Sequence, residues 1–281
     1  MRGLRLAFAG PLPPAPSGIA DYAAELLPHL AARPEIDAVE LYVPPGLPAP
    51  EAALAEAFEV RPWRELVARG RDGAFDLALY QLGNHPRFHG AVWSALGELP
   101  GVVMLHEYVL HHMVREVTLT AGDAAGYVEE MRYAYGAAGR SLARRAVATG
   151  VPVDAYAYPL FERAVDRAQG VLVHSRACAE RVLASRPEAR VAVVPHHLHL
   201  GREDVDRVDT DAEPEAAKLA ARRRLGLPAD GFLVGTFGYQ NRSKRLDSLA
   251  AAFAVLHDRH PEARLAVVGG VDPKLGFEAS G

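Results

Sequence analysis

The first candidate for chemistry is a histidine that follows an apolar run, in the stretch "GVVMLHEYVLHHM" at 101–113. His106 stands where a strand of a parallel sheet would end, which is the edge at which such sheets bind ligands. His106 is therefore interpreted as a polar group of an active cleft, a role better supported for it than for His111 or His112. His111 and His112 are predicted to begin the next helix. The spacing from His106 to His111 is one residue longer than in H-E-x-x-H, so no metal site is predicted.

A group of three cations marks a second candidate site, in "GTFGYQNRSKRLDSLAAAF" at 235–253. Arg242, Lys244 and Arg245 come just before a helical pattern, where the helix dipole disfavours positive charge. An anion bound among these cations and the free N–H groups of the first helical turn would remove that conflict. The pattern therefore predicts a phosphate or diphosphate site.

The third candidate is the proline-rich stretch "PLPPAPSGIADY" at 11–22, which joins an apolar run to a helical stripe. It is longer than a simple connection needs. Ser17, Gly18 or Asp21 can cap the helix, and the N–H groups there can bind an anion that Gly18 lets approach closely. Tyr22 falls on the apolar stripe and is predicted to be core. A capped turn without a ligand stays an equally good interpretation.

Two further polar stretches follow apolar runs. Asn84, in "YQLGNHPRFH" at 80–89, is interpreted either as a substrate ligand or as part of a surface turn. In "VVPHHLHL" at 193–200, the alternation of an extended segment would put His197 and His199 on one face and His196 on the other. This second stretch is interpreted as a strand end that lines a cleft and leads into a linker.

The composition is that of an ordinary globular protein, with 49% hydrophobic and 23% charged residues in a chain of 281, long enough for roughly two domains. The net charge of −4, from 31 basic and 35 acidic residues, lacks the basic excess of nucleic-acid-binding proteins. The single cysteine, Cys178, excludes an internal disulfide framework and indicates a reducing compartment. The apolar runs are too short for a membrane span or a signal peptide. A cytoplasmic protein is therefore predicted.

The elements that must hold these residues are predicted from the apolar pattern. Short continuous apolar runs, typical of strands buried on both faces of a parallel sheet, occur at 4–9, 39–43, 76–82, 101–106, 170–175 and 191–196. Helical patterns between them predict β-α-β units in a doubly wound α/β sheet. The interval 107–169 is too long for one crossover helix and predicts a helical insertion, on which three arginines fall on successive turns, Arg140, Arg144 and Arg145.

The character of the chain changes after residue 200, which indicates a domain boundary. We expect an N-terminal domain at 1–200 and a polar linker at 201–230. The 51 residues from 231 to 281 contain a fresh strand-helix-strand pattern. Because this is little more than one β-α-β unit, the second domain is predicted to be incomplete.

Taken together, four stretches resemble the family-4 glycosyltransferases of the GT-B fold. They are "PLPPAPSGIADYAAELLPHL", "VVMLHEYVLHH", "GVLVHSRACAERV" and "GTFGYQNRSKRLDSLAAAF" followed by "ARLAVVGG". The resemblance covers nearly the whole chain and implies two Rossmann-like domains, the first for an acceptor and the second for a nucleotide sugar. It implies sugar transfer with retention from a UDP- or GDP-linked donor, without a bound metal or cofactor. The acceptor would be a polysaccharide, a lipid-linked sugar or a small-molecule glycoside.

The resemblance also implies roles for particular residues. His106 would be the catalytic residue beside the transferred sugar, Gly18 would let the first loop approach the phosphates, and Lys244 matches the lysine that binds the diphosphate. The arginine that usually follows the strand-end glycine is Tyr239 here, and Arg242 is the candidate to replace it. The acceptor side or the cleft is expected to include Ser17, Asp21, Asn84 and Glu107.

Other functions stay open at this point. The paired glutamates of the family come later in its second domain than Gly281 does here, so weak activity is expected from these 281 residues alone. One alternative is a nucleotide-sugar epimerase or phosphorylase of GT-B type, and another is a non-catalytic carbohydrate-binding module. A nucleic-acid partner is not expected. Weak peripheral contact with acidic lipid at the inner membrane face, through the arginines of the insertion, also stays open.

Overall fold

The structure is a computed structural model that describes residues 3–197, 214–240 and 244–270. The chain divides into two compact units, Met1–His199 and Leu200–Gly281. The sequence placed the end of its first domain at residue 200, one residue beyond this division.

Seven parallel strands form the sheet of the first unit, and their spatial order is β3-β2-β1-β4-β5-β6-β7. They are β1 Leu4–Ala9, β2 Ile36–Tyr42, β3 Glu59–Arg61, β4 Leu77–Leu82, β5 Val102–Leu105, β6 Gly170–Val173 and β7 Val191–Val193. The order reverses between β1 and β4, which creates the switch point at which open α/β sheets bind ligands. The prediction of an α/β protein with a parallel, Rossmann-like sheet is confirmed at this level.

Burial on both faces explains why the strands are continuous apolar runs. In β1, Ala7 and Ala9 pack into one core, whereas Leu6 and Phe8 pack into a second core on the other face. The sequence missed β3, since this edge strand has only three residues and pairs along one side.

Eight α-helices belong to the described part of the first unit. They are α1 Gly18–Ala31, α2 Ala52–Ala57, α3 Leu66–Arg71, α4 Pro86–Glu98, α5 His111–Arg115, α6 Ala124–Thr149, α7 Glu162–Arg167 and α8 Arg176–Ser185. Side-chain caps fix where the longer helices begin: Ser17 caps α1, Asp123 caps α6 and Ser175 caps α8.

Helices α5, α6 and α7 lie between β5 and β6, in the interval 107–169 for which the sequence predicts a helical insertion. Helix α6 is interrupted at Gly136, whose φ of 62° and ψ of −143° are not helical. Residues on both sides of Gly136 line one groove of about 560 Å³, so the two limbs of α6 lie side by side. Glycine suits this position because a side chain would strain a positive φ.

The described part of the second unit contains two parallel strands, β8 Leu233–Phe237 and β9 Arg264–Val268. Helix α9 (Pro214–Arg224) lies within the stretch predicted as a linker, and helix α10 (Leu246–Arg259) connects the two strands. The predicted strand-helix-strand unit is therefore present, with its helix starting two residues later than expected.

Candidate active site

The loop between β1 and α1 is anchored by its own residues. Leu12 and Ala15 are buried, and the Pro13 carbonyl oxygen accepts a hydrogen bond of 2.9 Å from the backbone N–H of Glu51. Ser17 Oγ accepts from the backbone N–H of Ile19 at 3.3 Å, which caps α1. Gly18 is the first residue of that helix, and a Cβ atom added there would meet nothing within 4 Å. The start of α1 is therefore held in place and open above Gly18.

The registers of the parallel strands bring three residues into one row at the carboxyl edge of the sheet. Leu105 of β5 pairs with Val173 of β6, and Val173 pairs with Val193 of β7. His106, His174 and Val194 each come one residue later, so they follow the ends of three adjacent strands. The sequence predicted His106 at a strand end but not its alignment with His174.

His106 has both of its ring nitrogens engaged. Its Nε2 lies 2.9 Å from Oε1 of Gln81, and its Nδ1 lies 3.0 Å from Nε2 of His174. His174 Nδ1 in turn lies 3.0 Å from the carbonyl oxygen of Val194. The result is a continuous polar chain across the ends of β4, β5, β6 and β7.

Gly10 makes room for the first member of this chain. It follows β1 directly beside Gln81, and a Cβ atom on Gly10 would lie 2.6 Å from Cβ of Gln81. Gln81 is fully buried, and its backbone carbonyl oxygen accepts a 3.0 Å hydrogen bond from Nδ1 of the buried His89. The site therefore begins at the switch point between β1 and β4.

Four histidine rings surround Tyr22, whose side chain is 3% exposed. The centroid distances from the Tyr22 ring are 4.9 Å to His106, 5.2 Å to His174, 5.0 Å to His196 and 4.4 Å to His197. We call these five residues the Tyr22 cluster. The prediction that Tyr22 is buried is confirmed, but the sequence did not show what it is buried against.

The expected alternation of the second histidine stretch is wrong for its described residues. His196 and His197 both contact Tyr22 instead of facing opposite sides. The reason is that β7 ends at Val193, so the pleat that would separate neighbouring side chains does not reach them. His199 lies outside the described residues. His197 Nε2 also lies 2.6 Å from Oε2 of Glu25 on α1, which brings a carboxylate to the edge of the Tyr22 cluster.

Burial keeps the centre of the Tyr22 cluster uncharged. It lowers the pKa of His106 to about 3, and the nearby His174, His89 and His196 lower it further because a second positive charge is unfavourable there. Burial also lowers the pKa of His174. At neutral pH both rings are therefore neutral and act as hydrogen-bonding groups.

The remaining candidate residues of the first unit have different surroundings. Asn84 Oδ1 accepts a 2.9 Å hydrogen bond from the backbone N–H of Met113, so this side chain joins the β4–α4 loop to α5. Asp21 and Glu107 are exposed. His111 begins α5 as predicted, and it is buried, with its Nε2 2.9 Å from the hydroxyl of Tyr127.

The candidate phosphate site of the second unit lies around the start of α10. Lys244 is exposed, and Arg245 occupies the N-cap position with a left-handed φ of 52° and no capping hydrogen bond from its side chain. Tyr239 is 57% exposed. Arg242 lies outside the described residues.

A cavity of about 340 Å³ lies at the opposite edge of the sheet, before β6 and β7. Its charged lining residues are two acids, Asp166 and Glu188, and two arginines, Arg186 and Arg190, and Arg186 is joined to Asp166 at 2.7 Å. Because these charges neutralise each other, the cavity is a weaker candidate than the carboxyl edge.

In the ranges that the structure describes, no three histidine, cysteine, aspartate or glutamate side chains are grouped so as to hold a metal ion. No helix of those ranges combines the length and the apolar character needed to cross a membrane. A scan against protein-family models gives no match for this sequence. A search of curated proteins gives no match either.

Proposed function

We propose that this chain is a retaining glycosyltransferase that moves a sugar from a UDP- or GDP-linked donor to a carbohydrate or lipid-linked acceptor. The observation that carries the proposal is the position of His106 at the carboxyl edge of a Rossmann-like sheet, one strand from the switch point and beside Tyr22 of α1. That edge is where such sheets bind their ligands. The order of the motifs along the chain supports the same function.

In this proposal each named residue has a single role in sugar transfer. A neutral His106 orients a hydroxyl of the transferred sugar, and the open start of α1 offers the backbone N–H of Gly18 to an anion. In the second unit, Lys244 offsets the charge that develops on the leaving diphosphate. Neither a metal nor an organic cofactor has a part in this scheme.

Calorimetry with UDP and GDP tests the donor half of the proposal. We expect Lys244→Ala to weaken nucleotide binding by about tenfold or more, because a charge-assisted hydrogen bond contributes roughly 1.5–3 kcal/mol. Lys218→Ala is the matched control, since Lys218 is an exposed lysine of the same unit that pairs with Glu215 at 3.2 Å. The proposal would be contradicted if neither UDP nor GDP binds, or if Lys244→Ala and Lys218→Ala lose the same amount of nucleotide affinity.

One observation favours a second function, a non-catalytic carbohydrate-binding module. Both ring nitrogens of His106 are engaged within the protein, so a substrate must displace Gln81 or His174 to bond with the ring. A binding module needs no such exchange. Activity of His106 variants separates the two functions.

The proposal of a lipid-linked acceptor includes contact with acidic lipid through α6. Arg140, Arg144 and Arg145 are exposed, and Arg140 and Arg144 line one groove with Val147, which is 40% exposed. Arginines beside exposed apolar side chains are typical of surfaces that bind anionic membranes.

Vesicle sedimentation tests this contact. Because each arginine near an anionic surface contributes about 1 kcal/mol, we expect Arg140→Glu with Arg144→Glu to lower partition onto phosphatidylserine vesicles by about tenfold or more. The matched control is Arg33→Glu with Arg71→Glu. It changes the net charge by the same amount, at exposed arginines outside the insertion. Equal partition of the two double variants would remove lipid contact from the proposal.

A further inference from the structure

The hydrogen-bond partners in the polar chain at the carboxyl edge determine which of its nitrogen atoms carry protons. It joins the Gln81 amide, His106, His174 and the Val194 carbonyl through three contacts of 2.9–3.0 Å. A carbonyl oxygen only accepts, so His174 Nδ1 must carry a proton. A neutral His174 then has a bare Nε2, and His106 must donate to it from Nδ1. A neutral His106 in turn has a bare Nε2, which needs a donor.

The Gln81 amide has such a donor, but its oxygen faces His106 at present. When Oε1 of Gln81 lies against His106 Nε2, the polar chain has an accepting oxygen at each end, that of Gln81 and that of Val194. Both outer ring nitrogens must then donate, and a third proton must lie between the rings. The two imidazoles would together carry three protons and therefore one positive charge. In that orientation Nε2 of Gln81 is also buried without a hydrogen-bond partner. If the Gln81 amide is rotated by 180°, its N–H donates to His106 Nε2, so the buried nitrogen gains a partner and both rings stay neutral. The rotation fits the same space because the amide oxygen and nitrogen are nearly alike in shape. A buried N–H without a partner is also rarer than an under-satisfied C=O.

Burial and the neighbouring histidines disfavour a cation on either ring, and they outweigh the Val194 carbonyl, which raises the pKa of His174. His106 is faced by His174, His89, His196 and the Tyr22 ring, and burial is the largest cause of its low pKa. His174 is faced by His106, Tyr22, His196 and His197. The carboxylate of Glu25 contacts Nε2 of His197 at 2.6 Å. A neutral pair is therefore the favoured state.

We propose that Gln81 and His174 are positioning residues that hold His106 as a neutral Nδ1–H tautomer, with the Gln81 amide N–H donating to His106 Nε2. His106 Nε2 is then the acceptor for a ligand. A hydroxyl of the ligand donates to it in place of the Gln81 amide. His106 receives a hydrogen bond from that hydroxyl and does not donate one. The proposal rests on the proposed function only in treating His106 as a ligand-binding residue.

Long-range ¹H–¹⁵N correlation spectra of the imidazoles in the full chain test the tautomer without any substrate. At neutral pH we expect a protonated Nδ1 and a bare Nε2 for both His106 and His174, with the signals assigned by loss in His106→Asn and His174→Asn. A protonated Nε2 on His106 in the wild-type chain would overturn the proposal. This readout is independent of sugar transfer, so it stands or fails separately from the proposed function.

A variant pair at Gln81 provides the second readout. Gln81→Glu replaces the donor by a carboxylate that only accepts, so the His106–His174 pair must bind one more proton. The pKa of the pair should therefore rise by at least one pH unit. Gln81→Leu removes the donor without adding a charge and should not raise it. If Gln81→Glu titrates as Gln81→Leu does, the proposal is overturned. Should either variant fail to fold by fluorescence of Trp63 and Trp93, the wild-type tautomer still decides.

Discussion

Acidification from pH 7 to pH 4 is expected to lower the free energy of unfolding of the first unit by about 3 kcal/mol through His89 alone. His89 is 1% exposed, and its Nδ1 donates to the backbone oxygen of Gln81 at 3.0 Å. Burial lowers its pKa from 6.5 to about 4. The unfolded chain therefore binds the proton first, and the folded state loses stability as the pH falls from about 6.5 towards 4. The pKa of about 3 at His106 extends this loss in the same direction.

Urea unfolding at several pH values measures this effect. The two tryptophans of the chain, Trp63 and Trp93, both belong to the first unit, so their fluorescence reports on it. His89→Gln is the matched variant, because its amide can still donate to the Gln81 oxygen but does not titrate. We expect a shallower loss of stability between pH 6.5 and pH 4 in this variant. Parallel pH profiles for the two proteins would show that His89 does not carry the effect.

Replacement of His106 by alanine is expected to reduce sugar transfer by a factor of about 10², the loss typical when a group that positions the substrate is removed. The loss follows if the neutral ring orients the sugar hydroxyl. Transfer from UDP- and GDP-linked sugars measures it, together with nucleotide affinity, which should change little because the diphosphate contacts are assigned to other residues.

The matched control for this variant is His112→Ala. His112 is an exposed histidine of α5 outside the Tyr22 cluster, and its replacement should leave transfer unchanged. If His106→Ala transfers sugar as fast as the wild-type chain, His106 is not catalytic. If the wild-type chain and its variants all bind carbohydrate but none of them transfers sugar, the result favours the binding-module function.

Local patterns were enough to predict the parts of the fold that depend on near neighbours. A strand buried on both faces must be apolar throughout, so "LRLAFA" is readable as β1 without knowledge of its partners. The cap of α1 is equally local, because Ser17 needs only the N–H of Ile19 two residues away. The edge strand β3 was missed since three residues paired on one side carry no such signal.

The candidate site was predictable one residue at a time but not as an arrangement. His106 was found because it ends an apolar run, and that position alone indicates the ligand-binding edge. Asn84 was also found at a strand end, yet its oxygen is bonded to the Met113 N–H, a partner 29 residues away in sequence. Polarity at a strand end shows that a group needs a partner, not whether the partner is a ligand or the backbone.

By itself, the sequence determined the α/β class, the parallel sheet, the helical insertion and His106 as a strand-end histidine, because each depends on burial or capping within a short segment. Only the tertiary structure decided that Gln81, His106 and His174 form one hydrogen-bonded chain and that four histidines surround Tyr22. These contacts depend on strand register and on where β7 stops. A shift of one residue in either would turn the rings away, and no local pattern fixes that choice.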